Sequence, residues 1–296
     1  MQLVFLGTSC MTPTKERNHT ATLLLFENEG FLVDCGEGTQ RQLKMADIKI
    51  TKVTKILISH WHGDHVLGLA GLMQSLGASD YNRKLEIYGP EGTEEKVKEM
   101  LKPYIFYNKV EFSVHDVEKG IFLDAEKYYL EARELEHGIP TLGYSFVEKD
   151  RRKINLAYTK KAGIPEGPLL GRLQEGKDIM FKGKSISTDD ATYKVKGKKI
   201  SFISDTLLTK GCYELAKDAD LLVCEAAFSS NLQEKATEYK HMTAKQAGLI
   251  ASQSNVKKLV LTHFSARYKD LSEIEEDAKN VFENTTAAFD LMKLKV

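Results

Sequence analysis

The densest group of potential metal ligands in the sequence is Ser59-His60-Trp61-His62-Gly63-Asp64-His65. It places three imidazoles and one carboxylate within six residues, in the pattern H-x-H-x-D-H. Zinc binds histidine nitrogen and aspartate oxygen in roughly tetrahedral sites, and a catalytic zinc keeps one position open for water. The alternating pair His60 and His62 can face one metal, and the pair Asp64 and His65 can face a second. The spacing therefore predicts a site for two cations.

Further ligands must come from other parts of the chain, because this segment completes neither metal. Three candidates, His137, Asp205 and His263, each follow a predicted strand. Sites in α/β sheets assemble at the carboxyl ends of strands. We therefore predict that four separate elements bring ligands together, with Asp205, which has two oxygens, bridging the metals.

The remaining histidines and the cysteines have simpler interpretations. His115 is predicted to be a surface residue, and His19 to lie in a loop near the site without being a ligand. The cysteines are far apart and form no C-x-x-C pair, so we predict small buried hydrophobic residues rather than disulfides. They are Cys10, Cys35, Cys212 and Cys224.

Short apolar runs alternate with helical stretches along the chain, which predicts an α/β layered fold. The predicted strands are Gln2–Leu6, Ala21–Phe26, Phe31–Val33, Lys55–Ser59, Lys84–Tyr88, Tyr128–Leu135, Lys199–Ser204, Leu221–Cys224 and Lys258–Thr262. The predicted helices are Thr93–Lys102 (with Thr93 as N-cap), Cys212–Asp218, Thr243–Gln253 and Leu271–Phe282.

Charge and hydropathy narrow the class of protein. The formal net charge is zero and no run of eighteen apolar residues occurs, so we expect no spanning helix. The N-terminus has no basic region before its first apolar run and is interpreted as a strand rather than a signal peptide, which favours the cytosol.

The segment Lys149–Lys184 differs from the rest of the chain. It holds ten Lys or Arg against four Asp or Glu, and it is rich in glycine and proline. Ile164–Gly171 is predicted to lack regular structure. A long loop inside a compact domain is usually functional or disordered, and local basic charge can bind phosphates. We predict an arm, although a solvated loop would show the same charge.

Beyond the histidine-rich segment, several motifs resemble the metallo-β-lactamase superfamily and, along nearly the whole chain, the short form of tRNase Z. They are Phe5–Ser9, Pro13–Asn18, Asp34–Gln40, Ser204–Thr206, Thr262–Tyr268 and the pairing of Glu225 with His241. Two positions depart from the family pattern: Cys224 stands where histidine is common, and Met242 where a small hydroxyl residue is common.

The resemblance implies a single αβ/βα four-layer sandwich over residues 1–296, with residues 149–184 as an inserted arm that grips tRNA. It implies His60, His62 and His137 on one zinc, Asp64, His65 and His263 on the other, and Asp205 between them. It also implies a homodimer that cuts the 3′ trailer from precursor tRNA.

Roles in catalysis and binding follow as hypotheses. Asp64 would orient the attacking water and accept its proton. His241, held by Glu225, would donate a proton to the leaving 3′-oxygen. The basic residues expected to contact phosphates or the acceptor stem are Lys15, Arg17 and Arg267.

Other functions remain open from the sequence. One is another hydrolase of the same fold, acting on a small ester or phosphodiester, for which the basic arm would be surplus. Another is a catalytically silent RNA-binding scaffold, against which the complete set of predicted ligands speaks. An iron redox enzyme is disfavoured because His62 stands where such proteins usually have glutamate.

Overall fold

The structure is a computed structural model, and it describes residues 1–106 and 110–296. Within these residues the chain divides into two compact units. The first unit contains Met1–Leu123, Leu130–Phe146 and Lys199–Val296, and the second contains Asp124–Tyr129 and Val147–Lys198.

The first unit is built on two mixed β-sheets, each with seven strands in the described part of the chain. In spatial order the first sheet contains β20 (Lys293–Lys295), β1 (Gln2–Gly7), β3 (Ala21–Phe26), β4 (Glu29–Val33), β5 (Lys55–Leu57), β6 (Leu85–Gly89) and β7 (Phe112–Asp116). The second contains β19 (Thr285–Ala287), β17 (Leu259–Thr262), β16 (Leu221–Glu225), β15 (Lys199–Ile203), β10 (Pro140–Glu148), β9 (Tyr128–Glu136) and β8 (Gly120–Asp124).

The central strands β4, β5 and β6 run parallel, and so do β15, β16 and β17. Parallel strands place their carboxyl ends at one edge of a sheet. A short parallel pair joins β2 (Ser9–Cys10) to β18 (Phe264–Ser265). This pair ties the loop after β1 to the segment that follows β17.

Helices accompany both sheets. They are α1 (Thr39–Met45), α2 (Gly63–Val66), α3 (Leu69–Gly77), α4 (Thr93–Leu101), α8 (Lys210–Ala216), α9 (Gln233–Glu238), α10 (Ala244–Gln253) and α11 (Ser272–Lys279), with 3-10 turns at Ile50–Lys52 and Ser230–Leu232. Thr243 caps α10 with a capping box, as the polar residue before an apolar run predicts. The predicted N-cap of α4 was wrong: Gly92, with φ 82°, holds that position, because its left-handed backbone suits glycine.

Three buried layers of side chains hold the sheets and helices together. Between the sheets, the ring of Phe146 lies 5.1 Å from the rings of both Phe26 and Phe31. Apolar residues of α1, α3 and α4 pack on the outer face of the first sheet, and those of α8, α10 and α11 on the second. The order helix, sheet, sheet, helix is the predicted αβ/βα four-layer sandwich.

The second unit contains the predicted basic arm and has regular structure of its own. Its elements are β11 (Arg151–Ile154), α5 (Leu156–Ala162), α6 (Pro168–Gln174), β12 (Ile179–Phe181), β13 (Lys184–Ile186), α7 (Thr188–Ala191) and β14 (Thr192–Val195). The expectation that Ile164–Gly171 lacks regular structure was wrong from Pro168 onward, because proline is favoured at the first position of a helix. Leu173, Ile179 and Ile186 form a small core.

The cysteines form no disulfide; Cys35, Cys212 and Cys224 are buried and Cys10 is partly exposed. Among the helices that the structure describes, none has the length and apolar character needed to cross a membrane.

Candidate metal centre

The predicted ligands meet where strands of both sheets end. His60 lies beyond β5, His137 directly follows β9, Asp205 lies beyond β15, and His263 directly follows β17. Each of these residues is buried. The topology therefore brings together residues that are up to about two hundred positions apart in the sequence.

The ligand atoms form two main groups. In each group the atoms lie within 4.8 Å of one another: His60, His62, His137 and Asp205 in the first, and Asp64, His65 and His263 in the second. A third group joins Asp205 and His263 to His241. Asp205 Oδ2 lies 3.7 Å from His60 Nε2 and 3.4 Å from His65 Nε2, so it faces both groups. This is the position that a bridging carboxylate requires.

The donor set fits divalent cations. Three buried nitrogens have no hydrogen-bond partner among the described residues: His65 Nε2, His263 Nδ1 and His263 Nε2. His62 Nδ1 lies 3.0 Å from His60 Nε2 and 3.2 Å from His137 Nε2. Buried unpaired nitrogens are costly, and imidazole nitrogens that converge in this way are stabilised by a shared cation.

Neighbouring acceptors orient the histidine rings. His137 Nδ1 donates to the Lys240 carbonyl at 2.8 Å, and His65 Nδ1 donates to Asp34 Oδ2 at 2.7 Å. Ser59 donates its hydroxyl proton to Asp34, so its oxygen accepts from His60 Nδ1 at 3.0 Å. These contacts occupy the Nδ1 atoms and turn the Nε2 atoms toward the metal positions, which is the orientation that metal-bound histidines require.

From the sequence, Asp34 stands out only as part of the Asp34–Gln40 motif, and its orienting role is not predicted. An available signal was its place directly after β4, at the same sheet edge as His60. The backbone of Asp34 has φ 59° and that of His263 has φ 61°. Left-handed backbone is uncommon outside glycine, and such positions cluster at functional sites.

Burial and nearby charges shift the pKa values of the clustered histidines in opposite directions. Burial is the main cause that lowers the pKa of His60 and of His62, so both rings are neutral and ready to bind metal. Burial also lowers the pKa of His65, but the carboxylates of Asp205 and Asp34 outweigh it and raise that pKa to about 10. Metal binding at His65 must therefore displace a proton.

The two carboxylates of the centre are held ionised. Burial alone would raise the pKa of Asp205, but His263, His65 and His241 lower it well below its usual value. For Asp64, contacts with His263 and His65 likewise overcome burial and lower the pKa.

Glu225 and His241 form a buried pair beside the metal ligands. Glu225 ends β16, is fully buried, and accepts the Thr206 N–H at 2.7 Å. His241 Nδ1 lies 3.1 Å from its Oε1 and 3.2 Å from its Oε2. Burial lowers the pKa of His241, but the charges of Glu225 and Asp205 outweigh it and raise the pKa to about 11. The pair therefore presents a protonated ring at the centre.

The predicted phosphate-binding residues differ in exposure. Lys15 and Arg267 are exposed, and the Arg267 guanidinium lies over the Phe228 ring, 5.2 Å from its centroid. Arg17 is buried, and its Nη2 donates to the carbonyls of Ser265 (3.3 Å) and Tyr268 (2.8 Å). Of the histidines that were not predicted to be ligands, His115 is exposed as predicted and His19 is buried near the site.

Together the sandwich and the paired His/Asp groups define the class of metal-dependent hydrolases with the metallo-β-lactamase fold. Over 100% of this chain and 99% of the other, the structure is similar to human tRNase Z, short form, with a TM-score of 0.74 and 27% identity. The metallo-β-lactamase fold protein YhfI from Bacillus subtilis has a TM-score of 0.71 at 17% identity, covering 99% of this chain and 98% of the other.

Sequence relatives identify the family. The chain is 37% identical to Ribonuclease Z of Methanothermobacter thermautotrophicus, over 100% of this chain and 97% of the relative. It is 39% identical to Ribonuclease Z of Listeria monocytogenes, over 100% of this chain and 99% of the relative. The chain belongs to the ribonuclease Z family, and its residues 1–155 also match the family model described as Anti-Pycsar protein Apyc1. That match ends before Asp205 and His263, whereas the full-length relatives extend over both.

Proposed function

We propose that this enzyme is an endoribonuclease that removes the 3′ trailer from precursor tRNA and leaves a 3′-hydroxyl on the tRNA, in the cytoplasm. The observation that carries the proposal is full-length similarity to Ribonuclease Z in a chain whose predicted ligands converge in two groups. A fold-level likeness alone does not account for both features.

The metal proposal names two zinc ions per chain. His60, His62 and His137 would hold one, Asp64, His65 and His263 the other, and Asp205 would lie between them. When bound, such a pair lowers the pKa of water toward neutrality and neutralises charge on the phosphate. The support is the nitrogen and carboxylate donor set, which suits zinc better than magnesium or calcium.

The chain's own residues would move the protons. Asp64 accepts the proton of the water that attacks phosphorus in line. As the bond from phosphorus to the 3′-oxygen breaks, His241 donates its proton to that oxygen. Glu225 holds the His241 ring through Nδ1, so the proton for the leaving group would come from Nε2, which lies 4.0 Å from Cys10 Sγ. Roles of this kind need an ionised Asp64 and a protonated His241, and the pKa directions of both groups agree.

Lys15 and Arg267 are proposed as contacts to the acceptor stem or its phosphates, because both are exposed and a guanidinium offers a planar fork of donors. Arg17 was assigned the same role from the sequence. Its bonds to the Ser265 and Tyr268 carbonyls instead favour a role in holding the segment that carries Arg267. A homodimer is also proposed, on family membership alone.

The test is incubation with a 3′-extended tRNA, with both product ends mapped. We expect one cut that yields a 3′-hydroxyl on the tRNA, loss of cleavage with a chelator, and recovery on adding zinc. Hydrolysis of small esters or phosphodiesters without tRNA cleavage would instead support a small-substrate hydrolase. Absence of all hydrolysis, with less than one metal per chain, would support a silent scaffold.

The basic arm of the second unit is proposed to bind tRNA away from the cut. The residues that flank the arm are already hydrogen-bonded to each other: the Glu148 N–H donates to the Lys198 carbonyl at 2.9 Å. The residues between them can therefore be replaced by a short turn. Replacing residues 149–197 by Asn-Gly would close that pair with a two-residue turn. We expect kcat/KM for precursor tRNA to fall roughly 100-fold, because contacts from Lys and Arg to phosphates are lost.

The matched substrate is bis-p-nitrophenyl phosphate, which is too small to reach an exosite, and its hydrolysis should be unchanged. The salt dependence of precursor tRNA binding should also become shallower in the deletion variant. Equal losses on both substrates would contradict the role of the arm.

A further inference from the structure

A backbone amide of the loop after β1 contacts Asp64. The Met11 N–H donates to Asp64 Oδ2 at 2.8 Å. The same oxygen lies 3.5 Å from His65 Nε2 and 3.5 Å from His263 Nε2. The carboxylate is therefore contacted by a neutral donor as well as by the two imidazoles, and this donor comes from outside the predicted ligand set.

Met11 makes this contact in an unfavourable conformation. Its φ is 55°, in the left-handed region that non-glycine residues seldom adopt. Its side chain is 78% exposed, so packing of that side chain does not hold the backbone in place. Such a conformation persists only where neighbouring contacts enforce it. The contacts that enforce it must therefore act on the backbone of this turn.

His19 supplies one of these contacts. Its Nε2 lies 3.1 Å from the Met11 carbonyl oxygen. A carbonyl only accepts, so the proton sits on Nε2 and the ring donates. The N–H and the carbonyl of Met11 are thus both engaged, one by Asp64 and the other by His19. Fixing both groups restricts φ and ψ of this residue.

The His19 ring has little freedom to move away. A Cβ on Gly36 would lie 2.5 Å from the Asp64 carbonyl oxygen and 2.5 Å from His19 Cβ, so only glycine lets these two segments approach. Ser9 N–H donates to the Asn18 carbonyl at 2.9 Å, which fixes the backbone beside His19. His19 itself is only 6% exposed.

We propose that His19 is a positioning residue for Asp64: by holding the Met11 carbonyl, it keeps the Met11 N–H on one lone pair of the carboxylate and so orients the carboxylate. The inference rests on the proposed function only for the role of Asp64 as proton acceptor. A carboxylate oriented by a fixed donor presents its remaining lone pairs in one direction, toward the metal position and the attacking water. Loss of the donor would let the carboxylate rotate and misplace both.

The direct test uses enzyme without metal, labelled with 15N-methionine, which reports the backbone amides of the methionines, Met11 among them. In the wild type the Met11 amide should be protected from hydrogen exchange although its side chain is exposed. His19→Ala should remove that protection, and His19→Gln, whose amide can donate to the same carbonyl, should restore it. His115→Ala is the matched control, because His115 is exposed on β7.

Kinetics and spectroscopy complete the test. His19→Ala should lower kcat on precursor tRNA about tenfold, in the range found for groups that orient metal ligands, with KM unchanged. The visible spectrum of the cobalt-loaded enzyme should shift in His19→Ala and return in His19→Gln. Replacing Met11 by its α-hydroxy acid, which exchanges the N–H for an ester oxygen and leaves the His19 side chain in place, should lower kcat at least as much as His19→Ala.

An unprotected Met11 amide in the wild type would overturn the inference, as would unchanged kcat in both His19→Ala and the ester variant. Equal losses in His19→Ala and His19→Gln would show a packing role instead. These outcomes are distinct from failure of the proposed function, in which the wild type itself would leave precursor tRNA uncut.

Discussion

Asp205→Asn is expected to abolish stable binding of the metal pair. The residue is 3% exposed, and its carboxylate oxygens lie within 3.1 to 3.9 Å of a nitrogen of each of five histidines. Removing one partner from a buried charged group costs about 3–5 kcal/mol, because the opposite charges stay desolvated. At about 1.4 kcal/mol per factor of ten, metal affinity should fall roughly 100- to 4,000-fold.

The measurement is metal content per chain after dialysis against a series of free zinc concentrations, together with turnover of precursor tRNA at each concentration. Turnover should fall with occupancy and recover only in part at saturating metal, because the amide carries no charge to bridge the ions. Asp80→Asn is the matched control: Asp80 is exposed, and its φ of 50° is a conformation that asparagine tolerates. Full metal content and full turnover in Asp205→Asn would rule out the bridging role.

His241→Ala is expected to lower kcat on precursor tRNA by roughly 100- to 10,000-fold, the usual contribution of a positioned acid, while both metals stay bound. His241 lies outside the two proposed ligand sets: it forms a third group with Asp205 and His263, but its Nδ1 contacts Glu225 at 3.1 Å. Loss of this ring therefore removes a proton donor without removing a proposed ligand. Metal content measured on the same preparation separates the two effects.

The leaving group provides a sharper test of that role. The 3′-oxygen of ribose is a poor leaving group and needs a proton, whereas p-nitrophenolate leaves without one. His241→Ala should therefore retain most of its activity on bis-p-nitrophenyl phosphate. Equal losses on the two substrates, or loss of a metal, would contradict the assignment as proton donor.

Glu225→Gln should lower kcat on precursor tRNA less than His241→Ala, because glutamine can still accept the Thr206 N–H but no longer favours a charged ring. The double variant should be no worse than His241→Ala, since residues that act as a unit are not additive. His115→Ala, an exposed histidine, should leave both substrates unaffected.

Local pattern was enough to predict the candidate ligands and an α/β layered fold, whereas the four-layer sandwich came from the family resemblance. His137, Asp205 and His263 follow predicted strands, and the structure brings all three to the histidine-rich segment. The reason is physical: an apolar run long enough to be buried makes a strand, and parallel strands end at a common edge where polar side chains collect. Strand limits were off by one or two residues, which the ligand positions do not depend on.

The contacts that orient those ligands were set by tertiary structure alone. Asp34 reaches His65 across 31 positions, and Arg17 reaches Tyr268 across 251. No periodicity links such residues. The sequence therefore did not indicate whether Arg17 is buried or exposed. His19 was placed near the site, but its bond to the Met11 carbonyl depends on how closely Gly36 lets two segments approach.

For the basic arm, too, the sequence determined one property and the tertiary structure another. Its charge and its glycine and proline content marked Lys149–Lys184 as distinct, and the sequence by itself determined that difference. That the segment folds, with Leu173 and Ile179 buried together, was decided in three dimensions, because its few apolar residues are too scattered to show a period. Ligand identity follows from local chemistry, whereas orientation, burial and strain arise only when distant segments pack.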